Sequence, residues 1–267
     1  MNNQLKKYEI IQCVQMENQN VTIEDTIRAI KNAGFDGVFL QIYNKDIEFS
    51  QLEQFSLCKQ LNLSIPFCHL HYNGFNDIWI EGENGDKLVN GYLKDLELCD
   101  ELKIPMVVMH LVNSFIAPPP SKIGLKRLET IIKYAKSKNI KIAFENTKIS
   151  GYIEYVLDNL DYDNIGICYD SGHCHCYFDD EFNWNKFKNK IFTLHLHDND
   201  KSGDQHLLPF DGTINWNTLI DNLIVANYSG PISLESCYRN NYLQISLDDF
   251  YKESYTRAKQ IAKMISK

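Results

Sequence analysis

The chain alternates between short apolar runs and longer amphipathic stretches. Eight runs rich in β-branched and aromatic residues predict strands, and helix-like segments lie between them. The predicted strands occupy residues 8–16, 35–43, 64–72, 105–112, 141–146, 165–170, 191–198 and 231–235. Eight successive strand–helix units are typical of a (β/α)8 barrel, so we predict the α/β class with this architecture. A doubly wound open sheet is the alternative.

Three of the intervening stretches show helical spacing clearly. One begins after Thr22, a residue type that caps helices, and stops at Gly34. Two others place apolar residues at i, i+3, i+4 and i+7: Leu128, Ile131, Ile132 and Ala135 in one, and Ala258, Ile261, Ala262 and Ile265 in the other. The crossover 171–190 predicts only a short or irregular helix. No linker divides the chain, so we predict a single domain over residues 1–267.

Composition and charge argue against several classes of protein, namely nucleic-acid binders, membrane proteins and exported proteins. A formal charge of -8 argues against a nucleic-acid partner, since polyanion binding usually needs a basic excess. No apolar run reaches the length of a membrane-spanning helix, so we expect no membrane partner. The opening "MNNQLKKYEIIQCVQM" lacks the form of a signal peptide. We therefore expect a cytoplasmic location.

The stretch "CYDSGHCHCY" at residues 168–177 concentrates three of the eight cysteines. A zinc ribbon would need a second cysteine pair at matching spacing, and the sequence has none. We therefore interpret most cysteines as buried thiols. His175, between Cys174 and Cys176, is not expected to belong to a site. The aspartate and the first histidine, Asp170 and His173, remain as candidates.

All eight histidines lie at the ends of predicted strands or in the loops that follow, and none lies in a predicted helix. Residues two apart in a strand share a face. This alternation turns one set of side chains inward at the ends of strands four to eight: His110, Glu145, Asp170, His195, His197 and Glu235. Such oxygen and imidazole donors suit a divalent metal such as Mn, Mg, Zn or Co. A cation would also relieve the repulsion among buried carboxylates.

The motifs "AFEN", "DSGH", "LHLHDND", "DQHLLPFDGTINW" and "ISLE" together resemble the xylose isomerase-like TIM barrel superfamily of sugar (phosphate) isomerases and epimerases, which is related to endonuclease IV. The resemblance runs from about strand three to strand eight. It implies one divalent metal ion held by Glu145, Asp170, His195 and Glu235. His195 is preferred over His197 because the ligand histidine of the family stands three residues before an acidic residue, here Asp198.

The resemblance also implies the reaction. Glu145 and Glu235 would form the acid/base pair that moves a proton next to a carbonyl, through a metal-stabilised enediolate, while His173 would bind a substrate oxygen. The partner is then a small sugar or polyol. No glycine-rich phosphate loop follows strand seven or eight, so a phosphorylated substrate has no support in the sequence. Assembly into a homo-oligomer is an analogy with such families.

Other functions stay open at this point. An endonuclease IV-like AP endonuclease would hold more than one zinc ion in a trinuclear site. Candidates for additional metal or substrate binding are His69, His110, His173, His197, Asp204 and His206. Against DNA stands the scarcity of basic residues near strand ends, where mainly Lys201 and Arg239 are available. A keto-inositol-type dehydratase or lyase would use similar proton chemistry. A non-catalytic barrel that binds a sugar or protein should have lost a ligand, and none is missing.

Overall fold

The computed structural model describes residues 8–15, 21–42 and 50–266, apart from the side chain of Asn240. Strands and α-helices alternate along the described chain, which confirms the predicted (β/α)8 class. The strands are β1 Ile10–Val14, β2 Gly37–Gln41, β3 Cys68–His69, β4 Met106–Met109, β5 Lys141–Glu145, β6 Ile165–Asp170, β7 Ile191–His195 and β8 Ile232–Leu234. The helices are α1 Ile23–Ala33, α2 Gln51–Gln60, α3 Glu83–Glu101, α4 Lys122–Ser137, α5 Tyr152–Asn159, α6 Ser171–Phe178, α7 Trp216–Val225 and α8 Leu247–Ile265.

The described residues fall into two compact units. The first unit contains residues 8–15, 21–40, 50–65 and 170–266, and the second contains residues 41–42 and 66–169. In the first unit β1 pairs in parallel with β2 and with β8, and a parallel bridge between Leu196 and Leu234 links the end of β7 to β8. In the second unit β3, β4, β5 and β6 pair in parallel in that order.

Helix α1 shows why the local sequence predicts its own boundaries. The side chain of Thr22 accepts a hydrogen bond from the amide of Asp25, and the Asp25 carboxylate accepts one from the amide of Thr22. This reciprocal cap satisfies amide groups that the first turn leaves open. At the other end Gly34 adopts a φ of 104°, a left-handed conformation that glycine reaches without steric cost. Both predicted ends are confirmed.

The apolar spacing of α4 and α8 also corresponds to burial. Leu128, Ile131 and Ile132 are fully buried, and each contributes about 2 kcal/mol by leaving water. In α8 the residues Ala258 and Ile261 are fully buried, while Ala262 is half-buried at the edge of the apolar face. Among the described residues, no helix is both long and apolar enough to cross a membrane.

Two expectations need correction. The third strand is only Cys68–His69 instead of residues 64–72, because Pro66 has no amide hydrogen to donate to a neighbouring strand. His173 and His175 lie in α6, so the expectation that no histidine is helical is wrong there. The helix begins at once because the Asp170 side chain caps it, accepting the amide hydrogen of His173 at 2.6 Å. The predicted ends of the first two strands, residues 16 and 43, lie outside the described residues.

Candidate functional site

Six of the predicted site residues stand at the carboxyl ends of six different strands. Four are the last residues of their strands, and two directly follow theirs. They are His69 of β3, Glu145 of β5, Asp170 of β6 and His195 of β7, with His110 after β4 and Glu235 after β8. Strand pairing fixes the backbone up to these positions, so each side chain starts from a rigid anchor.

In the second unit two histidines meet one carboxylate. Oε2 of Glu145 lies 3.0 Å from Nε2 of His69 and 3.2 Å from Nε2 of His110. Nδ1 of His69 lies 2.7 Å from the carbonyl oxygen of Leu70, which can only accept, so Nδ1 carries the proton. This hydrogen bond fixes the ring and turns Nε2 toward Glu145. The structure thus brings together His69, His110 and Glu145.

An aromatic ring covers one side of this group. Tyr72 stacks on the His110 imidazole, with ring centroids 4.6 Å apart and planes 8° apart, and 41% of Tyr72 is exposed to solvent. The aromatic residues Phe75, Trp79 and Trp216, in contrast, are buried in packing. Tyr72 therefore combines an exposed ring with direct contact to a site histidine.

In the first unit Asp170, His195 and Glu235 converge. One ligand atom of each lies within 4.8 Å of the others, and all three residues are buried. Nδ1 of His195 is 3.4 Å from Oε2 of Glu235. The His195 ring stacks on Phe39, with centroids 4.8 Å apart, and this contact fixes the plane of the imidazole.

His197, the alternate ligand, contacts the carboxylate of Asp170. Its Nε2 lies 3.2 Å from Oδ1 and 3.3 Å from Oδ2 of Asp170, and its backbone amide donates to the Ser171 hydroxyl at 3.0 Å. An imidazole that donates to a carboxylate orients it. The His197 ring also stacks on that of His206, with centroids 4.0 Å apart.

A further group in the first unit joins α6 to the loop between β7 and α7. Oδ2 of Asp204 lies 3.3 Å from Nε2 of His173 and 3.4 Å from Nε2 of His206. Nδ1 of His206 donates to the carbonyl oxygen of Glu235 at 2.8 Å, so this ring also turns Nε2 toward its carboxylate. The structure brings together His173, Asp204 and His206.

In the group of His173, Asp204 and His206, the surroundings favour an ionised Asp204 and a protonated His206. Burial opposes ionisation of Asp204, but hydrogen bonds from His173 and His206 outweigh it and hold the pKa of the carboxyl well below its usual range. Burial likewise disfavours the charged form of His206. The neighbouring Cys237 and Asp204 outweigh burial there and raise the pKa of His206 well above its ordinary value. Asp204 is therefore an anion at neutral pH.

Asp198 organises the loop that carries Asp204 and His206. Its buried carboxylate accepts hydrogen bonds from the amides of Asn199, Phe210 and Ile214, and from the indole of Trp216, at 2.9, 3.0, 3.2 and 2.7 Å. From the sequence, Asp198 serves only to distinguish His195 from His197 as the ligand. Its role as an anchor was missed, although "FDGTINW" contains three of these four donors, twelve to eighteen residues later.

The cysteines of "CYDSGHCHCY" form no disulfide bonds. All eight cysteines are thiols; seven are buried and Cys176 is half-buried. Burial raises the pKa of the Cys58 and Cys99 thiols to about 12. The interpretation of most cysteines as buried thiols is confirmed.

The donor chemistry fits a divalent cation. Within the described part of the chain, Asp204 and Glu235 form ion pairs with histidines and with no lysine or arginine. Two histidines, His69 and His206, have Nδ1 tied to a backbone carbonyl, the arrangement that metal-ligating imidazoles usually show. Buried carboxylates beside such imidazoles form a cluster able to hold a metal.

Known proteins share both the sequence pattern and the fold. A family model described as xylose isomerase-like TIM barrel matches residues 27–263. An uncharacterised protein of Sinorhizobium fredii is 26% identical over 185 residues, which are 64% of this chain and 59% of that protein. The probable endonuclease 4 of Mycoplasma capricolum is 25% identical over 195 residues, 63% of this chain and 67% of that protein. The chain thus spans less than two thirds of the length of the Sinorhizobium protein.

Among solved structures, the D-allulose 3-epimerase from Methylomonas sp. in complex with D-allulose has a TM-score of 0.75 at 15% identity, covering 96% of this chain and 97% of that one. This likeness establishes the fold and confirms the predicted (β/α)8 architecture. The family model matches far more than half of the chain, and the five motifs quoted above all lie within the matched range. The chain therefore belongs to the xylose isomerase-like TIM barrel family.

Proposed function

We propose that this protein is a divalent-metal-dependent sugar isomerase or epimerase. The observation that carries the proposal is the buried group of Asp170, His195 and Glu235 at the ends of three strands, with ligand atoms within 4.8 Å of one another. Carboxylate and imidazole donors in such a group bind Mn, Mg, Zn or Co. A ketose epimerase among the proteins of the same fold supports a sugar as the substrate class.

Glu145 is proposed as the fourth ligand. In a (β/α)8 barrel the carboxyl ends of all strands face one mouth, and Glu145 ends β5 as Asp170 ends β6 and His195 ends β7. We keep His195 as the histidine ligand because Nε2 of His197 is already directed at Asp170. A bound cation would polarise the substrate carbonyl and lower the energy of the charge that develops when the adjacent carbon loses its proton.

Residues of the chain would then carry out proton transfer and substrate binding. Glu145 and Glu235 take a proton from the carbon and return one to it, and His110, whose Nε2 lies 3.2 Å from Oε2 of Glu145, orients that carboxylate. His173 binds a substrate oxygen. The exposed ring of Tyr72 offers an apolar surface for the C–H face of a sugar.

The proposal extends to the whole chain. Residues 1–267 would form one domain that acts on a small sugar or polyol in the cytoplasm, without a nucleic-acid or membrane partner. Assembly with copies of itself is proposed by analogy with proteins of this fold.

Hydrogen exchange at the substrate tests the reaction. The metal-loaded protein is incubated with ketoses, D-allulose among them, in deuterated water, and the C–H signal next to the carbonyl is followed by NMR. We expect loss of that signal, and a rate at least about 100-fold lower in Glu235→Gln, because acid–base groups contribute at least that factor. Glu97→Gln, an exposed change on α3, serves as the control and should exchange at the wild-type rate. Absence of exchange across the ketoses would count against the proposal.

A second function, an endonuclease IV-like AP endonuclease, is favoured by a separate observation. The groups of His69, His110 and Glu145 and of His173, Asp204 and His206 supply more ligands than one ion needs. Such a protein would hold three zinc ions, and the Mycoplasma relative carries the name probable endonuclease 4. Incision of DNA with one abasic site by the zinc-loaded protein, without ketose exchange, would establish this alternative. A keto-inositol-type dehydratase or lyase would instead release water from its substrate after the same proton removal.

A further inference from the structure

We propose that His175 is a positioning residue that fastens α6 to the loop between β7 and α7, and so keeps His173 opposite Asp204 and His206. His173 and His175 lie on α6, whereas Asp204, His206 and Thr213 lie on the loop. We call this link between α6 and the loop the clamp. Its contribution to catalysis rests on the proposed function, but the link itself does not depend on that function. His175 is not expected from the sequence to belong to a site, and the clamp gives it an indirect role.

The contacts of His175 form a chain across the two elements. Nδ1 lies 2.9 Å from both carboxylate oxygens of Asp180, and Nε2 lies 2.8 Å from the hydroxyl of Thr213. A carboxylate can only accept, so Nδ1 carries the proton. The Thr213 hydroxyl lies between Nε2 of His175 and the carbonyl oxygen of Asn199, which is 3.3 Å away, so this hydroxyl joins His175 to the base of the loop. The His175 ring is buried, whereas Asp180 and Thr213 are exposed, so each bond joins a buried imidazole to a side chain at the surface.

The backbone after α6 is bent to bring Asp180 to the ring. Asp179 and Asp180 have φ values of 49° and 66°, two successive left-handed residues that cost about 1 kcal/mol each or more. Aspartate tolerates this conformation better than most side chains. Lys201 of the loop pairs with Asp179 at 3.0 Å, but this contact is exposed and contributes little.

The other end of the clamp reaches the base of the loop. The amide of Thr213 donates to the carbonyl oxygen of Asn199 at 2.9 Å, and the side-chain amide of Asn199 donates to the carbonyl oxygen of Gly172 at 2.9 Å. The loop from 199 to 213 is therefore closed on itself and tied to both the beginning of α6 and, through His175, its later turn. Asp204 and His206 lie inside that closed segment.

Thr213→Val tests the clamp with little change of volume, because it replaces only the hydroxyl by a methyl group. Amide hydrogen exchange of residues 199–214, measured by mass spectrometry, should become at least about tenfold faster, while exchange of α8 stays unchanged and shows that the fold is intact. Thr213→Ser keeps the hydroxyl and should restore the slow exchange. His175→Gln retains a group near the position of Nε2, and His175→Asn one near Nδ1; we expect less loss of protection in Gln than in Asn. Unchanged exchange of residues 199–214 in Thr213→Val would overturn the proposal.

The same variants separate the clamp from the metal function. If the protein holds zinc at His173, Asp204 and His206, Thr213→Val should release that ion at lower chelator concentration than wild type does, and Thr213→Ser should not. A protein that holds no metal under any condition would refute the proposed function, while the exchange measurement would still decide for or against the clamp.

Discussion

The backbone of Gly172 lies directly against the imidazole of His197. A Cβ placed on Gly172 would stand 1.9 Å from Cε1 and 2.4 Å from Nδ1 of the ring. The ring is fully buried and is held on its other sides by Asp170 and His206. Only glycine leaves room for His197 at this position, although "DSGH" gives no hint which neighbour demands it.

Gly172→Ala should therefore displace His197 and, with it, the carboxylate of Asp170. We expect a loss of about 1–3 kcal/mol in the free energy of unfolding, as for other overpacked positions, and a larger relative loss of metal affinity. Gly203→Ala is the matched control, because a Cβ at Gly203 meets nothing within 4 Å. Equal stability and equal metal affinity of the two variants would show that the ring can move aside without consequence.

The Asp198 carboxylate should be hard to replace. Asp198→Asn keeps the shape of the side chain but loses the charge, and its amide group would face N–H donors. Because hydrogen bonds to charged groups are worth more than neutral ones, we expect a loss of about 3 kcal/mol in denaturant unfolding. The exposed Asp221→Asn on α7 should change little. A loss below about 0.5 kcal/mol for Asp198→Asn would argue that water substitutes for the carboxylate.

Asp95 on α3 gives the fold a specific pH dependence. Burial raises the pKa of Asp95 from 3.8 to about 6. Its folded-state pKa is therefore above the unfolded value, so its stabilising contribution is complete below pH 3.8 and is lost as the pH rises through about 6. Asp95→Asn removes this titration. The stability of the variant relative to wild type should rise by about 2 kcal/mol between pH 4.5 and pH 8.

The neighbouring His71, whose Nε2 is 3.4 Å from Asp95, titrates in the opposite sense. Burial lowers the pKa of His71, which adds stability as the pH rises toward 6.5. This effect is common to wild type and variant and largely cancels in the difference. Urea unfolding of wild type and Asp95→Asn at several pH values measures the difference between their free energies of unfolding. A difference that does not change with pH would contradict the account of Asp95.

The thiols should be almost inert in the folded protein. At pH 8 the raised pKa of Cys58 and Cys99 leaves only about one thiolate in ten thousand, and burial blocks access. Brief treatment with N-ethylmaleimide should therefore modify at most Cys176, the half-buried thiol, whereas treatment in guanidinium chloride should modify all eight. Intact-mass spectrometry counts the adducts. Rapid modification of several thiols in the native state would mean that the core opens readily.

Local patterns predict some parts of this molecule and not others. Alternation predicts that Glu145, Asp170 and Glu235 face inward at the ends of their strands, because successive side chains of a strand point to opposite faces. Alternation does not predict that His173 is helical. Helix α6 begins directly after β6 because the side chain of Asp170, itself a candidate ligand, caps it.

The positioning residues are harder to recognise for a different reason. Most partners of Asp198, Gly172 and His175 are at least twelve residues distant; the exceptions are Asn199 beside Asp198 and Asp180 five residues after His175. Periodicity carries no information about such contacts. The charge and size of these residues make sense only once the loop between β7 and α7 is folded over α6.

The metal content of the purified protein after reconstitution tests the central claim most directly. Elemental analysis of wild type should find a divalent ion in stoichiometric amount, near one per chain for the isomerase or epimerase. Asp170→Asn and Glu235→Gln should lose it, and the exposed control Glu97→Gln should retain it. Wild-type protein without bound divalent metal, or retention that these two substitutions leave unchanged, would contradict the account.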